Sequence, residues 1–231
     1  FIWNVFYKAK LNLFDNFSLL LEINFNQNNI LELNKYVPEA LIEQVYTGLS
    51  NKLDPKYHYH NLHHTKRVIT SAQNIGDFYN LSRDDWRDLL TACLLHDYGF
   101  IKSHVEHEET GAQMSKDILP KYYFSDDHIE TISSLILITK VAEKPSNLLE
   151  SIIRDADLEY IGSNDFEKIS EYLKKEWLEC EVVKNDSEFY KIQYEFLISH
   201  NFYTAFMQEK GRDQKKKNIE YAKMMMEKSH H

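Results

Sequence analysis

Turn-forming residues are scarce in this chain, whose 231 residues include only 6 Gly and 4 Pro. Sandwiches and barrels need frequent tight turns, so the scarcity disfavours them and leaves room for long helices. Cysteine is scarcer still. Cys93 and Cys180 make neither a metal-type pair nor a disulfide framework, and Cys93, inside an apolar run, is expected to act as a small core residue. There is no basic excess: the formal net charge is −9, which disfavours partners that are nucleic-acid polymers. An acidic surface can still surround a locally positive metal, so small phosphorylated substrates stay open. Long apolar runs are missing as well. The segment Phe1 to Phe25 is rich in aromatics and leucines but is interrupted by Lys8, Lys10, Asp15 and Glu22, which argues against a membrane span. It also lacks a basic start and a cleavage site, so a cytoplasmic location is expected. Packing on its own domain is the simpler fate for this segment, and a homodimer contact is its other use.

What is present is ordinary for a soluble globular chain, with 43% hydrophobic and 27% charged residues. The length suffices for a real core. Apolar periodicity predicts one all-α domain over 1–231, a multi-helix bundle with N-terminal helices over 1–50, a core at 57–162 and C-terminal helices over 163–228. Pro38 suits the first turn of a helix reaching Leu49. Leu62, Val68, Ile69, Ala72, Ile75 and Phe78 mark a second from Asn61 to Tyr79. Ser82 with Asp85 reads as a capped start for a third that runs to about Tyr98 and stops at Gly99. Further helices are expected over 108–119, from a cap at Asp126 or Asp127 through Ile136, over 147–161, from Phe166 to Cys180, over 187–208 and over 213–228.

Three stations carry chemistry. The first holds four histidines, His58, His60, His63 and His64, within seven residues. If a helix runs through His60 and His64, the two share a face, and His63 points away. The second, His96-Asp97, closes the apolar run Leu89 to Leu95. Polar groups there are costly unless paired or metal-bound. The third, Asp155-Ala156-Asp157, also sits among apolar neighbours, and its two-residue spacing prevents both acids from facing one point. Imidazoles and carboxylates of this kind suit a divalent metal, Mn²⁺, Fe²⁺, Zn²⁺ or Ni²⁺, with Mg²⁺ in a more oxygen-rich setting. The bland alternatives are a solvated histidine-rich helix start and a histidine that satisfies a helix C-terminus.

Tyr59-His60-Asn61-Leu62-His63-His64-Thr65, then Leu95-His96-Asp97-Tyr98-Gly99, then Asp155-Ala156-Asp157-Leu158 resemble the HD superfamily of metal-dependent phosphohydrolases, over about residues 57–162. Glu171-Tyr172, Lys175-Glu176-Trp177, Tyr203-Thr204 and Asn218 are similar to a small bacterial subgroup of it. The resemblance implies a helical fold with the metal between central helices, held by His64, His96, Asp97 and Asp157. It further implies that His60 protonates the leaving oxygen, as in the similar motif of cyclic-nucleotide phosphodiesterases, while Asp97 or Asp157 takes the proton of a metal-activated water. The implied reaction is hydrolysis of a phosphate ester, a nucleotide or other small phosphorylated metabolite.

The chain departs from the phosphodiesterase pattern after His96-Asp97, where Tyr98-Gly99-Phe100 replaces a further histidine. His104, His107 and Glu108 are the candidates for a second metal or for substrate. Lys66, Arg67 and Lys140 are candidates for a substrate phosphate, against the alternative of solvated cations. The oxygen-activating relatives use histidines on the next helix, and Ile132 to Lys140 has none. One well-formed metal site is therefore expected, and a diiron oxygenase and a non-catalytic nucleotide sensor are the alternative readings. Lys215 to Lys217 are expected to face solvent and Met224 to Met226 to pack. His230 and His231 are set aside from any site.

Overall fold

The computed structural model describes residues 33–229. The expected helices within 1–32, and the closing His230 and His231, lie outside that range. Among the described residues the protein is all-α, with ten α-helices, four 3₁₀ turns and no strand.

The helices run in order as α1 (Glu39–Lys52), α2 (Leu62–Gly76), α3 (Arg83–Leu95), α4 (His107–Ile118), α5 (Asp126–Leu137), α6 (Leu148–Asp157), α7 (Phe166–Glu179), α8 (Asp186–Ser199), α9 (Ala205–Lys210) and α10 (Arg212–Ser229). Local chemistry sets many of the starts. Asn61, Asn147, Asn185 and Thr204 each accept a hydrogen bond from a backbone N–H of the first turn. Ser82 and Asp85 form a reciprocal capping box at α3. α5 differs from expectation: its N-cap is Ser125, and no side chain caps it.

α3 is the central element. Every residue from Asp88 to Leu95 is buried, because α2, α5 and α6 all pack around it. A helix that is apolar on every side can form only where neighbours cover every side. Cys93 lies in this core, fully buried. The C-terminal part adds α8 packed on α10, and a smaller apolar cluster of Leu173, Val183, Phe189 and Tyr190, on which Met225 and Met226 rest.

The helix expected to reach Tyr79 stops at Gly76, where Asp77–Tyr79 tighten into a 3₁₀ turn, and three further boundaries differ, each for a physical reason. α3 ends at Leu95, and Tyr98–Ile101 tighten into a 3₁₀ turn. Gly99 therefore does not stop the helix. A Cβ there would sit 2.0 Å from the His107 carbonyl oxygen, so its missing side chain lets α4 close on the turn. α6 ends at Asp157 rather than near Ile161. The expected 187–208 helix is two helices, interrupted at residues 200–204, where the backbone turns its N–H groups to Asp155. Lys216 and Lys217 face solvent, but Lys215 is half-buried and its ammonium donates to the His200 carbonyl.

Candidate metal centre

Helix ends build the site. α3 stops at Leu95 with His96 as its last helical position, and Asp97 leaves it at φ −101 and ψ 7. Both side chains stay buried. The Nδ1–H of His96 donates to the Cys93 carbonyl at 2.8 Å, one turn back in its own helix. That bond fixes the tautomer and leaves the Nε2 lone pair free. His64 enters from the first turn of α2, and Asp157 from the last residue of α6.

The four groups meet at one point. His64 Nε2 lies 3.0 Å from Asp157 Oδ1, 3.4 Å from Asp97 Oδ2 and 3.2 Å from His96 Nε2. His96 Nε2 lies 3.2 Å from Asp97 Oδ2 and 3.7 Å from Asp157 Oδ1. His64, His96 and Asp157 each offer a ligand atom within 4.8 Å of the others, and Asp97 Oδ2 joins them at the distances just given. In neutral His96 the proton is held on Nδ1, so its facing atom is a lone pair. Asp97 Oδ2 and His64 Nδ1 are buried without a hydrogen-bond partner. Lone pairs crowded in this way need a cation or a proton among them. The nitrogen and oxygen donors fit Mn²⁺, Fe²⁺, Zn²⁺ or Ni²⁺.

Electrostatics agree. Burial opposes charge on His96, but Asp97 and Asp157 outweigh it and hold the imidazole up at about 9. Burial dominates at His64, whose value is lowered. Burial would raise Asp97 and Asp157, yet the surrounding imidazoles keep both below the usual carboxylate range, Asp97 well below it. The cluster attracts one positive charge to its middle.

His60 reaches the site by a route other than the helical spacing. α2 begins at Leu62 with Asn61 as its cap, so His60 stands before the helix. Its ring lies 5.8 Å from that of His64 and stacks on Phe100 at 4.6 Å with planes 13° apart. Glu176 of α7, only 3% exposed, holds it. The Nδ1 of His60 hydrogen-bonds to Glu176 Oε1, and the backbone N–H groups of Tyr59 and His60 donate to Oε2 at 2.8 and 3.0 Å. Burial lowers the His60 value, but Glu176, Asp97 and Asp157 together raise it above the ordinary imidazole range. His58 Nε2 lies 2.9 Å from Glu179 on the same helix. His63 is exposed, as its position predicts.

The remaining candidates separate. His107 comes close, its Nε2 3.6 Å from Asp97 Oδ1 and its ring 4.2 Å from Phe100. Glu108 touches His107 Nδ1 at 3.3 Å. His104 is turned toward Tyr57, with ring centres 6.4 Å apart, so the three do not converge as a second cluster. The phosphate candidates are engaged elsewhere. Arg67 is tied to Glu159, Asp165 and Ser163, linking α2 to the start of α7. The Lys66 ammonium lies over the Tyr46 ring at 5.2 Å, and that of Lys140 pairs with Glu109. Asp155 faces away from the cluster. It accepts from Tyr203 N–H at 2.9 Å, Thr204 N–H at 2.7 Å and Thr204 Oγ1 at 2.6 Å.

Glu176 has a role that the motif alone does not reveal. Its signal is an acid on the stripe of Phe166, Ile169 and Leu173 that α7 buries, where an unpaired charge is costly. Arg154 is another buried charge. It donates to the carbonyls of Ile138, Thr139 and Val141 and so closes the C-terminus of α5.

Residues 61–159 match the sequence model of the HD domain. Among solved structures, the chain is similar to a protein described as a predicted HD superfamily hydrolase from an uncultured Thermotogales bacterium. That likeness has a TM-score of 0.57 at 20% identity and covers 86% of this chain and 98% of the other. No curated protein matches the chain. The helix ends that bring His64, His96, Asp97 and Asp157 together all fall within the span that matches the HD domain.

Proposed function

We propose that the protein is a metal-dependent hydrolase of phosphate esters, acting on a nucleotide or another small phosphorylated metabolite. The observation that carries this reading is the buried convergence of two imidazole nitrogens and two carboxylates from His64, His96, Asp97 and Asp157, with Asp97 Oδ2 left without a hydrogen-bond partner. A divalent cation held there supplies Lewis acidity, which brings the pKa of water toward neutrality and offsets charge on phosphoryl oxygens. His64 and His96 give neutral imidazole nitrogens, and the two carboxylates balance the cation's charge. Asp97, whose Oδ1 is on the His107 side, takes the proton of the attacking water. His60, whose protonated form Glu176 favours, hands a proton to the departing oxygen. The rings of Tyr59, Tyr160 and Phe100 line this region and limit access of bulk water. A second metal centre of comparable quality is absent among the described residues, which favours hydrolysis over a diiron oxygenase.

The test is an activity panel over phosphomonoesters and linear and cyclic nucleotides. The protein would first be stripped of metal and reloaded with Mn²⁺, Fe²⁺, Mg²⁺, Zn²⁺ or Ni²⁺. Metal-dependent release of phosphate or ring opening is expected, abolished by His96→Ala and by Asp97→Ala. Absence of hydrolysis with every metal overturns the reading, and oxygen uptake by the iron-loaded protein replaces it with the redox alternative.

A further inference from the structure

The general acid and its partner both lie outside the segment that matches the HD domain. His60 stands one residue before it, and Glu176 lies 17 residues beyond its end at residue 159. From this arrangement we infer that Glu176 is the positioning residue for proton delivery, so that α7 is part of the reaction machinery rather than a structural appendage. The inference rests on the hydrolase reading and names how its acid is held.

One carboxylate receives three N–H groups. Oε1 takes the ring Nδ1 of His60, and Oε2 takes the main-chain N–H groups of Tyr59 and His60. Anchoring both the ring and its own backbone leaves the imidazole little freedom about either side-chain torsion. Phe100 fixes the remaining plane by stacking on it. With Nδ1 committed to Glu176, Nε2 on the opposite side of the ring is the only nitrogen free to act. In the reaction, the P–O bond to the leaving group breaks, and its oxygen takes the proton from Nε2 to become a neutral alcohol. The imidazole is left neutral with Nδ1–H still on Glu176. The same acid also fastens the segment before α2 through the main-chain N–H groups of Tyr59 and His60. It is 3% exposed, and a carboxylate so deeply placed is costly unless every lone pair facing the protein is used.

Neighbouring groups do not substitute for it. Glu179, one turn further along α7, is occupied near His58. His107, 6.2 Å from the His60 ring, hydrogen-bonds its own Nδ1 to the His104 carbonyl.

Leaving-group dependence tests this. Proton delivery matters for an alkyl or sugar alcohol, and hardly at all for a nitrophenol, which departs as a stable anion. Glu176→Gln, which preserves shape and one carbonyl acceptor, is expected to lower kcat roughly 10- to 100-fold on an alkyl or nucleotide ester, with little change in KM. On a nitrophenyl ester the loss should stay within about threefold. Metal content should remain at the wild-type level, and Glu176→Asp should recover part of the loss. Equal slowing on both ester types, or none on either, overturns the inference while leaving the hydrolase reading in place. A wild-type protein inactive on both, with every metal, overturns the two together. A second readout needs no turnover. In an imidazole-¹⁵N-labelled wild-type protein, His60, identified by the signal lost in His60→Gln, should carry a proton on Nδ1. A bare Nδ1 contradicts the arrangement.

Discussion

Helix α6 carries two aspartates two residues apart, and its two sides treat them in opposite ways. On one side Asp155 is fully buried and is completed by the chain itself, through two main-chain N–H groups and a hydroxyl from residues 203–204. Burial raises its value, and those hydrogen bonds pull it back. On the other side Asp157 meets only imidazoles and another carboxylate. The first acid is a fastening, because every donor it needs is supplied by the fold. The second is unfinished, and an incomplete set of buried charges marks the place where an external cation belongs.

This contrast can be broken most directly at the unfinished side. His96→Ala or Asp97→Ala removes a ligand and should lower kcat/KM by about 10³-fold, a loss of several kcal/mol of transition-state stabilisation. Metal content measured alongside should fall with activity. Full metal occupancy in either variant would dissolve the distinction between the two sides.

The finished side should behave in reverse. Asp155→Ala strands three buried donors and should cost about 3 kcal/mol of stability in a denaturant titration. Metal binding by the folded fraction should persist. If the variant stays as stable as wild type but loses the metal, Asp155 belongs to the site after all.

Acidity sharpens the comparison further. His96, held up at about 9, is charged below that pH, so a cation must expel its proton to bind. Affinity in a chelator competition should then rise about tenfold per pH unit up to that value and level off above it. In the metal-free protein the same raised imidazole contributes stability in full below its ordinary value of 6.5, and loses it as pH climbs through about 9. The thermal midpoint of the stripped protein should therefore fall across this window. A pH-independent affinity would mean that no proton occupies the cation's place.

The smallest effect is expected at Arg67. Its guanidinium is about a third exposed and braces α2 against Glu159 and Asp165. Arg67→Ala should cost no more than about 1 kcal/mol of stability and leave KM unchanged. A KM raised tenfold or more would restore Arg67 as a holder of substrate phosphate.

Much of the site was legible because the pair His96-Asp97 closes an apolar run, where a polar side chain signals a purpose. His60 was legible too, although its convergence with His64 does not come from helical spacing. A capping asparagine starts α2 after it, and a glutamate from α7 draws its ring into place. That glutamate is 116 residues away in the chain. Nothing local to Lys175-Glu176-Trp177 indicates which loop it will meet. The break between α8 and α9 was hidden for a similar reason. The apolar pattern runs through residues 200–204, and only the unsatisfied carboxylate of Asp155 gives their N–H groups a better partner than a helix would.

The sequence by itself determined that the protein is helical and that three polar stations interrupt its apolar pattern, because periodicity, capping residues and the scarcity of turns act over a few residues. Tertiary structure decided which acid completes the cluster, which cations are spent on ion pairs, and which distant helix holds His60. Those outcomes depend on distances between groups far apart in the chain, and packing alone fixes them.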